Sequence, residues 1–108
     1  MPGGGPAATT GPDRDGVRLR VPRALAGDVG GGREVVLPAP AGGDLRALLG
    51  EVDAAHPALG RRLRDETGRL RRFVNVYVDG VDVRRDDGLA TPVRGGQTVE
   101  VIQSVAGG

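Results

Sequence analysis

Apolar and polar residues alternate along Val17-Arg18-Leu19-Arg20-Val21, the period of a strand with one buried face. Pro22 ends that strand or sits on its edge, because it has no N–H to give a ladder. The GDVGGG stretch at 27–32 reads as a loop, and residues 34–37 supply a second apolar run. A phosphate-cradling loop would need a helix after it, and a strand follows instead. The first two strands are therefore expected to form a hairpin.

Past the Pro38-Ala39-Pro40 turn the period changes. Leu45, Leu48, Leu49 and Val52 fall at i, i+3, i+4 and i+7, one stripe of a helix, and Asp44 is a suitable N-cap. Pro57 closes the helix by disfavouring helical angles at His56. Residues 59–65 predict a short second helix, with Leu59 and Leu63 laid on the sheet edge. The helix carries Gly50, which costs about 1 kcal/mol relative to Ala and has no evident purpose.

Phe73-Val74-Asn75-Val76-Tyr77-Val78 is β-branched and aromatic, hence a strand. Asp79-Gly80 is a hairpin turn signal, residues 81–84 the return strand, and Asp86-Asp87-Gly88 a further, solvated turn. Residues 98–103 form the last strand, with Val99 and Val101 on one face and Glu100 and Ile102 on the other. The expected core is Val17, Leu19, Val21, Leu45, Leu48, Leu49, Val52, Val74, Val76, Val78, Val99 and Val101. Two hairpin-like pairs separated by one long helix predict an α+β fold. It is a mixed sheet with the helix across one face, the ubiquitin-like β-grasp arrangement.

Composition narrows the chemistry. In a chain of 108 residues one domain is expected, and with only Phe73 and Tyr77 as aromatics the core must be Val and Leu. The net charge of +1 makes no electrostatic case for nucleic acid or anionic lipid. All 15 basic residues are Arg, so no side-chain amine is available as a nucleophile or isopeptide acceptor. There is no Cys, which removes disulfides and thiolate sites. His56, the one histidine, has no companion for a metal site and reads as structural. No nucleophile–base pair is apparent, so the chain is not expected to be an enzyme or to bind a cofactor or metal of its own. No apolar run nears the ~20 residues of a membrane span and no signal pattern opens the chain, so the cytoplasm is expected.

Residues 1–16 are half Gly and Pro and lack large apolar side chains beyond Met1, the composition of a disordered arm. The folded domain is then 17–104, and 105–108 a flexible tail, Val105-Ala106-Gly107-Gly108. Gly is 20 of the 108 residues, so two terminal glycines arise by chance in roughly 3% of such chains. Directly after a terminal strand they gain meaning. A C-terminal carboxylate is inert until activated, most simply as an acyl-adenylate, and a tail without side chains can thread a narrow channel.

RFVNVYVDGVDVR (72–84), GLAT (88–91) and TVEVIQSVAGG (98–108) together resemble the ThiS/MoaD family of ubiquitin-like sulfur carriers, and within it the CysO type of actinobacterial cysteine biosynthesis. The likeness covers 17–108 in pattern and is specific in the last 37 residues. It implies that Gly108 bears the carboxylate that becomes a thiocarboxylate, with Val105, Ala106 and Gly107 threading a partner's active site. It implies as partners a ubiquitin-activating-like adenylyltransferase and sulfurtransferase that uses ATP and Mg, and a sulfur-accepting synthase. In the CysO type that synthase is a pyridoxal-phosphate enzyme, and a metallopeptidase releases the product. The MoaD type would make the chain the small subunit of molybdopterin synthase. Gln103-Ser104 stand where the family often has Pro or another stiff residue.

Two other functions share the pattern. A ubiquitin-like modifier would form isopeptides through Gly108, although a lysine-free chain could not extend on itself. A nucleic-acid-binding β-grasp module would need a basic face with exposed aromatics, which is not evident. For the carrier, Phe73, Tyr77 and Ile102 are expected on the sheet face away from the helix, as a partner-docking patch.

Overall fold

The computed structural model describes residues 16–104. Five strands make one sheet: β1 Gly16–Arg20, β2 Glu34–Pro38, β3 Val74–Val78, β4 Val81–Asp82 and β5 Thr98–Gln103. Their order is β2-β1-β5-β3-β4. The parallel pair β1–β5 sits at the centre and joins two antiparallel hairpins, which makes the sheet mixed. Helix α1, Leu45–Ala55, crosses one face, and α2, Pro57–Leu63, follows it directly.

Local chemistry sets the ends of these elements. Asp44 Oδ1 accepts from Ala47 N at 2.9 Å, giving one orphan donor of the first helical turn a partner. His56 leaves helical geometry at φ −140°, caps α1 through its N–H to Val52 O, and accepts from Gly60 N to start α2. Asp79 and Gly80 both take positive φ, 47° and 87°, as a two-residue hairpin matched to the right-handed sheet twist requires. The Asp79 carboxylate then holds Thr98 N at 2.9 Å, tying that turn to the start of β5.

The core lies between α1 and the sheet. Leu45, Leu48, Leu49 and Val52 descend from the helix onto Val17, Leu19, Leu37, Val74, Val76, Val78, Val99 and Val101, all buried. Every residue expected in the core is there. Leu25, Val29, Val83 and Val93 join it as well.

Several expectations change. Gly16, assigned to the arm, is the first residue of β1 and pairs with Pro38, while the rest of the arm lies outside the described residues. The GDVGGG stretch is only partly loop, since a 3-10 helix runs over Arg23–Val29 and ends at Gly30, φ 85°. Leu25 and Val29, four apart, are the apolar contacts that draw it down. The return strand stops at Asp82, because the Asp82 carboxylate accepts from Arg84 N at 2.9 Å and turns Val83–Arg85 into a 3-10 turn that buries Val83. Finally, α2 packs chiefly on α1 and that first 3-10 helix instead of on the sheet edge. An ion pair between Arg62 Nε and Asp28 Oδ2, 2.8 Å, joins α2 to it.

Candidate functional site

The last described strand, β5, ends at Gln103, close in sequence to the terminal glycines. Ser104 is the last described residue, and Val105, Ala106, Gly107 and Gly108 lie outside the described residues. The register here is tight: Gln103 pairs with Val74 and Ile102 with Asn75, and Ser104 N donates to Phe73 O at 2.8 Å. Two rows of residues therefore face away from α1, Phe73–Asn75–Tyr77 from the β3 side and Glu100–Ile102–Ser104 from the β5 side.

The sequence-expected patch is on this face but is not one continuous apolar surface. Phe73 is 42% exposed and Ile102 41%, whereas Tyr77 is half-buried opposite Glu100. Asn75 Nδ2 donates to Ser104 Oγ at 2.6 Å. That bond follows one diagonal of the block formed by Phe73, Asn75, Ile102 and Ser104, so it passes between Phe73 and Ile102 on the other diagonal. Further across the sheet the same face is charged, with Glu34 within 3.6 Å of Arg18 and 3.8 Å of Arg20. Val36 and Val81 are two more exposed apolar residues, on the outer strands β2 and β4.

Arg84 was not singled out from the sequence, yet it completes this corner. Because β4 is only two residues long, the carbonyls of Arg72 and Val74 point to an open sheet edge. The Arg84 guanidinium takes the place of the missing strand, with Nη2 3.3 Å from Arg72 O and 3.1 Å from Val74 O. Its Nη1 donates to Asn75 Oδ1 at 2.7 Å. The only sequence signal was Asn75 itself, one polar residue in an otherwise apolar strand.

Elsewhere some charged side chains are paired with one another or with backbone. On the helical side a cleft is lined by Asp53, Gly60, Arg61, Arg64, Asp65 and Arg71. There Arg64 Nη2 meets Asp53 Oδ2 at 2.6 Å and Arg71 Nε donates to Arg61 O. Among the described residues no group of three or more His, Cys, Asp or Glu is placed to hold a metal ion. No helix among the described residues is long and apolar enough to cross a membrane.

Comparison with known proteins gives this corner its context. The model of the ThiS family matches residues 22–108, a match that runs through both terminal glycines. The sulfur carrier protein CysO of Mycobacterium tuberculosis is 36% identical over 94 residues, 85% of this chain and 98% of the relative. Among solved structures, a chain of the Amycolatopsis orientalis BexX/CysO complex superposes with a TM-score of 0.75 at 33% identity, covering 85% of this chain and 99% of that one. SAMP1 of Haloferax volcanii gives 0.71 at 25% identity, over 86% of this chain and 99% of its own.

Proposed function

Since this chain belongs to the ThiS family, we propose that it is a sulfur carrier whose cargo is held on the Gly108 carboxylate. The observation that carries this reading is the family match extending to residue 108, so that Gly107 and Gly108 belong to the shared pattern. The fold supports it by ending β5 at Gln103, five residues before Gly108.

Two steps follow from the chemistry of a carboxylate. An oxygen of Gly108 attacks the α-phosphorus of ATP in a partner adenylyltransferase, and pyrophosphate leaves. A sulfur donor then displaces AMP from the acyl-adenylate, giving a thiocarboxylate. The terminal sulfur is a good nucleophile at neutral pH and passes to an acceptor held by a second partner. Mg and ATP belong to the activating enzyme, which is expected in the cytoplasm. The likeness to CysO favours cysteine, or another sulfur-containing metabolite, as the product.

Pyrophosphate exchange with the cognate adenylyltransferase tests the reading. Deleting Gly108 should abolish exchange and leave thermal stability unchanged, because a terminal residue contributes little to the fold. Full exchange by the deletion variant would overturn it. The intact mass of the protein isolated from its host should also show oxygen replaced by sulfur, or an adduct that names the acceptor. The likeness to SAMP1, a small archaeal modifier, favours isopeptide formation as the second reading. Conjugates on lysines of other proteins, in place of a thiocarboxylate, would select it.

A further inference from the structure

We propose that Arg84 and Asn75 are positioning residues that aim the chain as it leaves the sheet at Ser104. The proposal rests on the carrier reading, since it concerns the delivery of Gly108. β5 ends at Gln103, so Ser104 is the first residue beyond the ladder. Residues 105–108 start from it.

Two bonds hold Ser104 to the β3 side. Its N–H donates to Phe73 O at 2.8 Å, and its hydroxyl oxygen accepts from Asn75 Nδ2 at 2.6 Å. The backbone bond alone fixes one point and leaves rotation about it. The side-chain bond adds a second point and so a direction. In this bond the Asn75 amide is oriented with its nitrogen toward Ser104. Arg84 enforces that orientation: its guanidinium has donors only, so the amide oxygen must face Nη1, 2.7 Å away. Arg84 is itself anchored on Arg72 O and Val74 O, which are rigid backbone acceptors of the open β3 edge. The 3-10 turn after β4 is thereby connected, through one amide, to Ser104.

The benefit is entropic. A tail entering a narrow active site loses the freedom of each residue it orders, and a root already aimed leaves less to lose on binding. The effect therefore falls on the affinity for the activating enzyme, while the chemical step is unchanged.

The experiment has two readouts on the full-length chain. The first needs no partner: the backbone 15N–1H heteronuclear NOE at Ser104. In Asn75→Ala and Arg84→Ala it should drop below that of Val99 and Val101, with the thermal midpoint little changed. The second is pyrophosphate exchange. Asn75→Ala, Arg84→Ala and Ser104→Ala should each raise KM by about 3–10-fold, the equivalent of one hydrogen bond, with kcat unchanged. Ser104→Thr, which keeps the hydroxyl, should behave as the native protein. The Asn75→Ala/Ser104→Ala double variant should be no worse than either single one, because both remove the same bond.

A native NOE at Ser104 in both Asn75→Ala and Arg84→Ala overturns the proposal. So do additive KM effects in the double variant, since Asn75 would then touch the partner directly. The Gly108 deletion, run alongside, separates the two readings. An active deletion sinks the carrier, while an inactive one with unchanged KM in the Asn75 and Arg84 variants sinks the aiming chain alone.

Discussion

Gly60 of α2 approaches Asp53 of α1 so closely that a Cβ at Gly60 would stand 2.0 Å from Asp53 Oδ1 and 3.2 Å from Asp53 Cα. The carboxylate is not free to swing away without loss, because its other oxygen holds Arg64 Nη2 at 2.6 Å. The missing side chain is what lets the two helices turn sharply at His56 and still touch. Gly60→Ala should therefore destabilise the fold by about 1–3 kcal/mol, as overpacking does. Gly50 is the opposite case: nothing lies within 4 Å of its Cβ position, in the middle of α1. Gly50→Ala should stabilise by up to about 1 kcal/mol. Urea unfolding of the pair, with a common slope, checks both signs at once.

A pH-dependent contribution comes from the loop after α2. Asp65 Oδ1 accepts from the Thr67 hydroxyl, from Thr67 N at 2.8 Å and from Arg69 N at 3.2 Å. The Thr67 hydroxyl is the main cause that holds this carboxyl below the ordinary carboxylate range, against an opposing effect of burial, with the two backbone donors and Arg71 assisting. A carboxyl with a depressed folded value stabilises above its unfolded pKa and loses that stabilisation as pH falls through the folded one. Asp65→Asn should thus be less stable than the native chain at neutral pH. The gap should close on acidification to about pH 2, followed by thermal unfolding across the series. A constant gap would mean that the loss is geometric, not ionic.

Docking can be probed on the outward sheet face. Ile102 is 41% exposed, and Ile102→Asp should change stability by less than about 0.5 kcal/mol while weakening binding to the activating enzyme. Val36, 39% exposed on the same face but on edge strand β2, is the control. Val36→Asp should bind normally. Titration calorimetry on both variants locates the interface, and equal losses would spread it over the whole face.

Tail length is a strict requirement of the proposed chemistry. One added residue after Gly108 moves the reactive carbonyl by about 3.5 Å. Placement errors far smaller than that are enough to slow an enzyme. The extended chain should be silent in pyrophosphate exchange, and Gly107→Val should be impaired by bulk alone. Both variants should melt with the native protein in calorimetry.

Much of the fold was legible because its causes are local. The alternation in β1 and β5, the stripe of Leu45, Leu48, Leu49 and Val52, the Asp44 cap and the Asp79-Gly80 turn each involve residues within a few positions of one another. Burial follows from those periods, so the core residues of α1, β1, β3 and β5 could be written down. Where local signals competed the reading slipped. The glycines at 30–32 masked the Leu25–Val29 spacing, and the Asp82–Arg84 bond cut short a strand that composition favoured.

The candidate site divides the same way. The terminal glycines and the outward Phe73 and Ile102 can be found in the chain itself, since position and alternation are properties of sequence. Arg84, Asn75 and Ser104 could not be found together. Asn75 and Ser104 are 29 positions apart and Asn75 and Arg84 are 9 apart. Only the β3–β5 register and the early end of β4 bring them into one chain of hydrogen bonds. A strand's period says which face a side chain takes, but not which strand lies beside it or at what offset. That pairing is set by the whole sheet closing over α1, and so it was decided by the tertiary structure alone.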